Sequence, residues 1–276
     1  MKFADLHVHT NYSDSTFTPE EVVAAARDKG LAAVAICDHD CVDGIQPCRE
    51  FASRSNIDIE IIPGVELTAE KDDAEIHMLG YFMDWTDERF QETLLSIRNS
   101  RLERMYEMLR LLKAHNIDID PRDVFKLARD KGSVGRLHLA RAMLNSRKVN
   151  TLEEVFNKYI GFGKPCYVPH THFDPKKAIE LILGVGGAPV LAHPYTLDRD
   201  DLIKDFAAEG LRGIEVYHSD HNASISRRYE KIAKEHGLIA TGGSDCHGLG
   251  KENAQLGRVK IPYSVVEELK KISKAR

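Results

Sequence analysis

The sequence predicts an α/β protein: a parallel β/α barrel or barrel-like sheet, interrupted by a helical insertion. Three observations carry this expectation. Short apolar runs alternate with helical stretches along most of the 276 residues, a rhythm that favours β/α units over a sandwich or a bundle. That rhythm breaks between residue 85 and about residue 164, where the pattern is wholly helical. Histidines and acidic residues recur just past the apolar runs, at the strand ends where α/β folds place their sites. The length suits a single α/β barrel, and 42% hydrophobic with 29% charged residues allows a substantial buried core.

The first strand is expected over residues 3–8. Thr18, Pro19 and Glu21 then mark a helix start, with Thr18 as cap and Glu21 closing a capping box, and Gly30 marks its stop. Residues 31–36 form an uninterrupted apolar run, the signature of a strand buried on both faces of a parallel sheet. Further strands are expected over 57–62, 65–67, 76–82, 189–192, 213–217 and 238–241, with later helices beginning near Asp174, Arg199 and Ser224. The break holds a long helical pattern over 87–115 and shorter helices beginning near Pro121, Arg136 and Leu152, the last with Thr151 and Glu154 as a second capping box. The chain therefore divides into a barrel portion (1–84), a helical insertion acting as a substrate-binding lid (85–164) and a second barrel portion (165–276).

A net charge of -5 and a pI near 6.2 exclude a protein held to nucleic acid by bulk electrostatics, so no stable duplex binding is expected. The amino terminus lacks a signal-peptide stretch and no apolar run reaches membrane-spanning length, which predicts a cytoplasmic protein without a membrane partner. The five cysteines lack paired C-x-x-C spacing and read as reduced thiols. Cys37 belongs to an apolar run and should pack in the core; Cys246, between two candidate ligands, is either packing or a soft metal contact.

Asp5-Leu6-His7-Val8-His9 ends the first strand, and period-two alternation points His7 and His9 to the same side. Asp14 follows on the next loop. Cys37-Asp38-His39-Asp40 ends the next strand, and Glu66 stands in apolar surroundings where an unpaired carboxylate costs several kcal/mol. His77, His193 and the pair Asp245 and His247 are each expected to close a strand. Any one of these has a bland reading as a solvated or hydrogen-bonded side chain. So many carboxylates and imidazoles converging on one barrel mouth would repel or suffer desolvation, whereas two or three divalent cations would neutralise and order them. Mixed nitrogen and oxygen donors suit manganese, zinc or iron better than calcium.

The motifs DLHVHT, Asp38-His39, Gly64-Val65-Glu66, His77, Ala192-His193-Pro194 and GGSDCHG together resemble the PHP (polymerase and histidinol phosphatase) family across nearly the whole chain. The resemblance implies a distorted (β/α)7 TIM-like barrel with a trinuclear metal centre that hydrolyses phosphate esters or phosphodiesters. Carried over by position, His7 and His9 would bind one metal with Asp245, and Glu66 would bridge it to a second held by His77 and His193. Asp14, His39 and His247 would hold the third. Manganese is the expected ion, with zinc, iron and magnesium as alternatives. Histidinol phosphatases often carry histidine where Asp14 stands, which leans the assignment toward nucleotides; Cys246 replaces a residue that is often aromatic.

The helical stretch resembles one branch of that family, described as 3',5'-nucleoside bisphosphate phosphatases and 5'-to-3' exoribonucleases. The matching segments cover residues 98–104, 133–138 and 158–169. Arg98 and Arg101 share a helix face at i,i+3 spacing, Arg136 opens a helix after a glycine, and Lys164 lies in a loop; each is a candidate phosphate contact, against the alternative of a solvated basic face. A water bridging two such metals has its pKa lowered from about 15.7 toward 7, which supplies a hydroxide nucleophile at neutral pH. His193, His218 and His221 are the candidate catalytic histidines, the last two binding phosphate or protonating the leaving oxygen. The expected activity is removal of phosphate from a small nucleotide such as a 3',5'-bisphosphate, extending to short oligonucleotides. Histidinol phosphate hydrolysis and a noncatalytic binding module are the rival readings.

Overall fold

The computed structural model describes residues 1–72, 74–128, 132–169, 173–250 and 253–273. Strand β1 (Phe3–Val8) runs through the core and pairs in parallel with β2 (Ala33–Ile36) after helix α1 (Pro19–Asp28). The box at the start of α1 is complete: Glu21 N–H donates to Thr18 Oγ1 at 3.2 Å, and Thr18 N–H donates to Glu21 Oε2 at 2.8 Å. Helix α2 (Ile45–Arg54) returns the chain to β3 (Glu60–Lys71), one strand where two were expected. The Pro63-Gly64 pair reads as a break, yet here it marks a change of partner. β2 pairs with β3 as far as Ile36 opposite Pro63, and the next strand takes over at Gly64. Proline, lacking an N–H, is tolerated where one ladder ends.

That next strand, β4 (Ala74–Tyr81), is antiparallel to β3 and to β5, which corrects the expectation of an all-parallel sheet. Only residues 72 and 73 separate β3 from β4, too few for the crossover that parallel pairing needs. Asp72, at φ 50, helps reverse the chain.

Helix α3 (Glu88–Ala114) then leaves the barrel, with α4 (Pro121–Ala128), α5 (Arg136–Asn145) and α6 (Leu152–Val155), which runs into a π-turn over Phe156–Ile160. Phe90 and Leu94, early in α3, belong to the barrel's apolar core. From Met105 onward the helix packs into a second core with Val124, Leu139, Met143, Val155 and Cys166. At Thr151 the expected box is half formed: Thr151 Oγ1 caps Glu154 N–H, but the Glu154 carboxylate accepts from Asn150 N–H and Lys158 instead.

Helix α7 (Pro175–Gly184), capped by Asp174, leads into β5 (Ala188–Leu191), and the short helices α8 (Pro194–Leu197) and α9 (Ile203–Ala208) precede β6 (Gly213–His218). Helix α10 (Ala223–His236) leads to β7 (Ile239–Gly243); β8 (Ile261–Pro262) and α11 (Tyr263–Ser273) end the described chain. The sheet order is β7-β6-β5-β4-β3-β2-β1-β8. A bridge between Val8 and Cys246, with His9 N–H to Cys246 O at 3.0 Å and Cys246 N–H to His7 O at 3.3 Å, joins β1 to the loop after β7 and brings the sheet close to a closed barrel. No helix among the described residues is long and apolar enough to cross a membrane.

The seam depends on Gly243, where an added Cβ would fall on the backbone of His7. Gly243→Ala is therefore expected to destabilise the fold by about 1–3 kcal/mol. A melting curve checks this, and an unchanged midpoint contradicts so close an approach of the two strands.

Candidate metal centre

The side chains flagged in the sequence meet at one end of the barrel, around Glu66. Its Oε2 lies 3.3 Å from His7 Nε2, 3.2 Å from His9 Nε2 and 3.2 Å from His39 Nδ1. Its Oε1 lies 2.8 Å from His77 Nδ1 and 3.1 Å from His193 Nε2. Asp245 Oδ1 closes the first group, 3.5 Å from His7 Nε2 and 3.2 Å from His9 Nε2. Asp14 faces His247 Nε2 at 3.1 Å and His39 Nε2 at 3.8 Å. The donor atoms form three overlapping groups, His7/His9/Glu66/Asp245, His9/Asp14/His39/His247 and His39/Glu66/His77, each with atoms within 4.8 Å of one another.

His77 reaches this place by a route the sequence hides. It does not close its strand but stands fourth in β4, and Glu66 stands in the middle of β3. Because β4 runs opposite to its neighbours, an early residue of that strand sits at the rim where the other strands finish. His193 and Asp245 occupy strained backbone, φ 23 and φ 54, the kind of strain that clusters at functional sites.

Outer contacts aim the imidazoles inward. His7 Nδ1 donates to Glu215 Oε1 at 3.0 Å, and His247 Nδ1 to the Asp245 carbonyl at 2.9 Å. His77 Nε2 contacts Glu75 at 3.1 Å and His193 Nδ1 contacts Thr196 Oγ1 at 2.9 Å. Each contact leaves the opposite nitrogen with its lone pair toward the cluster, as in metal-bound histidines. Those inner atoms test the fit. His7 Nε2, His9 Nε2, His39 Nδ1, Asp14 Oδ1 and Glu66 Oε2 are all buried without a hydrogen-bond partner, which is costly unless a cation is shared among them. Nitrogen and oxygen donors in these groups can hold divalent transition metals.

Charge follows from the same geometry. Burial alone lowers His9, but the close carboxylates of Asp245 and Glu66 outweigh it and hold the ring at about 9. His77 is likewise opposed by burial, then raised to about 10 by Glu66 and Glu75. Burial works against the Glu66 charge, yet His39, His77 and His7 keep this carboxyl well below the usual range.

The remaining acids of these motifs have structural partners. Asp38 accepts from Thr10 N–H at 2.7 Å, Thr10 Oγ1 at 2.6 Å and Ser13 Oγ at 2.6 Å, and Asp40 accepts from Arg101 Nε at 2.6 Å. Cys246 stands in none of the three donor groups: its backbone forms the seam, its thiol accepts from Gly248 N–H, and burial pushes it up to about 11.

Two cavities open on the cluster. The first, about 220 Å3, is lined by His39, Glu66, His77, His193, His218 and Asp245 among others. The second, about 120 Å3, shares His39 and His77 and adds Asp14, Glu75, Arg101, Arg104 and Arg136. Arg136 lies 2.6 Å from Glu75 Oε1 and stacks over Phe156 and Tyr167 at 5.9 and 5.6 Å. Arg104 also covers Tyr167, at 5.5 Å; burial and its neighbours Arg136 and Arg101 bring it down to about 10 despite Glu75. Arg101 is buried and spent on Asp40, Thr68 Oγ1 and the Val134 carbonyl.

The other candidates are placed differently. Arg98 turns to Asp43 at 2.9 Å and Cys41, and Lys164 is exposed in a turn whose N–H bonds Gly161 O, so neither lines the two cavities. His218 lines the first cavity with Nε2 3.4 Å from Asp245 Oδ2. His221 stands one ring further out, donating Nδ1–H to the Val216 carbonyl and stacking on Tyr229. Three contributors escaped the sequence reading. Glu215 breaks an apolar strand as Glu66 does, Glu75 precedes His77 by the two residues that keep one strand face, and Arg104 continues the i,i+3 row from Arg101.

A family model described as the PHP domain matches residues 5–162. The chain is 34% identical over 265 residues to a 3',5'-nucleoside bisphosphate phosphatase of Chromobacterium violaceum, covering 94% of this chain and 92% of that protein. It is 34% identical over 248 residues to the Escherichia coli 5'-3' exoribonuclease Rnm, covering 88% and 84%. It is 29% identical over 252 residues to a phosphoribosyl 1,2-cyclic phosphate 1,2-diphosphodiesterase of Eggerthella lenta, covering 88% and 94%. A solved Bifidobacterium adolescentis chain, described as a candidate metal-dependent phosphoesterase, superposes with a TM-score of 0.89 at 30% identity, covering 98% and 96%. A Chromobacterium violaceum amidohydrolase structure with bound sulfate and no metal superposes with a TM-score of 0.88 at 33% identity, again covering 98% and 96%.

Glu66→Gln is expected to lower bound manganese and to remove most hydrolysis while leaving the fold intact. Elemental mass spectrometry beside circular dichroism checks this; full metal content with wild-type turnover would put Glu66 outside the centre. A second expectation concerns protons. In protein stripped with EDTA, rings held at about 9 and 10 carry protons at neutral pH, and a cation must displace them. Manganese affinity should therefore rise with pH up to about 10, with protons released on loading. Calorimetric titration in buffers of different ionisation enthalpy reads that release, and none at neutral pH contradicts ligation by His9 and His77.

Proposed function

The chain belongs to the PHP domain family of metal-dependent phosphoesterases, and we propose that it removes phosphate from small nucleotides such as 3',5'-nucleoside bisphosphates, extending to 5'-to-3' trimming of short oligonucleotides. One observation carries the nucleotide part: a cavity with three guanidiniums adjoins the metal cavity and shares His39 and His77 with it. A monoester needs only the first cavity. A second cationic cavity beside it suits a substrate with a second phosphate, and the arginine fork suits phosphate in particular.

Residues His7, His9, Glu66 and Asp245, with His39, His77, His193, Asp14 and His247, would hold two or three divalent cations, manganese being the expected ion. Bound there, such cations supply charge for the phosphate oxygens and a water of lowered pKa. The chain's own groups do the rest. His218 accepts the Asp220 N–H on Nδ1 at 3.1 Å, so in its neutral form the proton rides on Nε2, which lines the first cavity beside Asp245. That proton is placed for the leaving oxygen. Arg136, flattened against Phe156 and Tyr167, is placed to meet a remote phosphate with little freedom to lose, and Arg104, stacked on Tyr167 and tied to the Val168 carbonyl, adds its charge beside it. Sulfate in the related Chromobacterium violaceum structure supports a fold suited to a tetrahedral anion.

Histidinol phosphate fits less well, because its ammonium group would meet arginines in the second cavity. A noncatalytic module has no use for the unpartnered donor atoms of the centre.

If Arg136 holds the remote phosphate, the contact is charge-assisted and worth about 1.5–3 kcal/mol. Arg136→Ala should then lower kcat/KM for a 3',5'-bisphosphate by about ten- to a hundredfold, and far less for an aryl phosphate, which has no second phosphate. Equal losses on both substrates would remove Arg136 from recognition. Efficient wild-type turnover of histidinol phosphate and none of nucleotides would overturn the substrate class.

A further inference from the structure

We propose that Glu75 couples the arginine cavity to the metal centre, so that an anion on Arg136 strengthens the hold of His77 on its cation. The proposal rests on the reading of these two cavities as a metal site and a remote-phosphate site.

Glu75 and His77 lie two residues apart on β4, so their side chains leave the same face of the strand. One oxygen, Oε1, lies 3.1 Å from His77 Nε2 and 2.6 Å from Arg136 Nη2. The other, Oε2, lies 3.7 Å from Arg104 Nη2. The opposite nitrogen of His77, Nδ1, meets Glu66 Oε1 at 2.8 Å, inside the cluster of candidate ligands. One carboxylate thus stands between an imidazole that faces the metal centre and two guanidiniums that face the neighbouring cavity. It orients that imidazole from behind, and a carboxylate there raises ligand basicity.

The two roles compete. Negative charge shared with Arg136 is withheld from the imidazole, and an anion approaching Arg136 must first contend with Glu75. When an anion takes over the guanidinium, the carboxylate is left to His77 and the imidazole becomes the better donor. Binding energies are reciprocal, so a cation at His77 must favour the anion by the same factor. A metal-loaded centre would then select substrates that carry a second phosphate, and a doubly phosphorylated substrate would steady its own metal.

The test is calorimetric and needs no turnover: manganese is titrated into EDTA-treated, dialysed protein with and without inorganic sulfate, and sulfate into metal-free protein. In the wild type, saturating sulfate should tighten manganese by about five- to tenfold, within the usual span of coupling between sites. Glu75→Gln keeps the shape and drops the charge. It should shift the two ligands in opposite directions, sulfate tighter and manganese weaker, each by about three- to tenfold, and it should abolish their coupling. Arg136→Ala, which releases Glu75 to His77, should bind manganese more tightly than the wild type and lose most of the sulfate effect. Equal or same-direction shifts in Glu75→Gln, or manganese affinity indifferent to sulfate in the wild type, would overturn the coupling. Nucleotide turnover by the wild type, measured beside it, separates the two ideas: turnover without opposed shifts sinks the coupling alone, and opposed shifts without turnover sink the substrate reading alone.

Discussion

A carboxylate buried to 1% exposure among five imidazoles is the constraint on which this structure turns. Glu66 has no access to bulk water, and a lone charge in such a place would neutralise itself. Its neighbours are themselves held in place: His7, His77 and His193 are each bonded from behind, which turns the opposite nitrogen toward the carboxylate. Glu215 shows how this is built: one oxygen takes the His7 Nδ1–H and the other takes the His193 N–H at 2.8 Å, pinning one candidate ligand on β1 and another just past β5. With those outer contacts fixed, the inner atoms face one another, and bound cations would satisfy them together in place of protons. Family membership and chemistry therefore point the same way.

The backbone is arranged for that meeting. Nine candidate donor side chains on separate segments converge only if the strands end on one rim, and two departures from a regular β/α barrel serve this end. The reversed β4 brings an early strand residue to the rim, and the tight seam between Gly243 and His7 draws the last strand against the first. Asp245, two residues past that seam, thereby reaches Glu66's neighbours His7 and His9.

Much of this was legible in the sequence, for a definite reason. Histidine and carboxylate just after an apolar run cannot be core and have little cause to recur on a surface, so His7, His9, His39, Glu66, His193, Asp245 and His247 stood out together. Strand direction did not show, since hydrophobic periodicity is blind to polarity of the chain, and His77 was assigned to the right cluster through the wrong end of its strand. Glu215 and Glu75 were missed because second contacts carry no spacing rule; only their apolar surroundings or their neighbours betray them. Among the arginines, i,i+3 spacing marked Arg98 and Arg101 as one face. It could not tell that Asp43 and Asp40 claim them while Arg104, one turn further, turns to the cavity.

Net charge bears on partners in the same local way. At -5 the whole molecule repels polyanions weakly, and salt screens such exposed charge beyond about 8 Å. Inside the second cavity screening is poor: burial first, and then the guanidiniums of Arg136 and Arg101, bring Arg104 down to about 10 despite Glu75. For the remote phosphate proposed above, the attraction would thus be short-ranged: it would act on a phosphate that has already entered and offer little to a long backbone passing outside. A cavity of about 120 Å3 beside one of about 220 Å3 would suit small anions and free ends better than duplexes, and the low exposure of the Glu75 carboxylate would give it the proposed leverage, since water would otherwise decouple the arginines from the imidazole behind them.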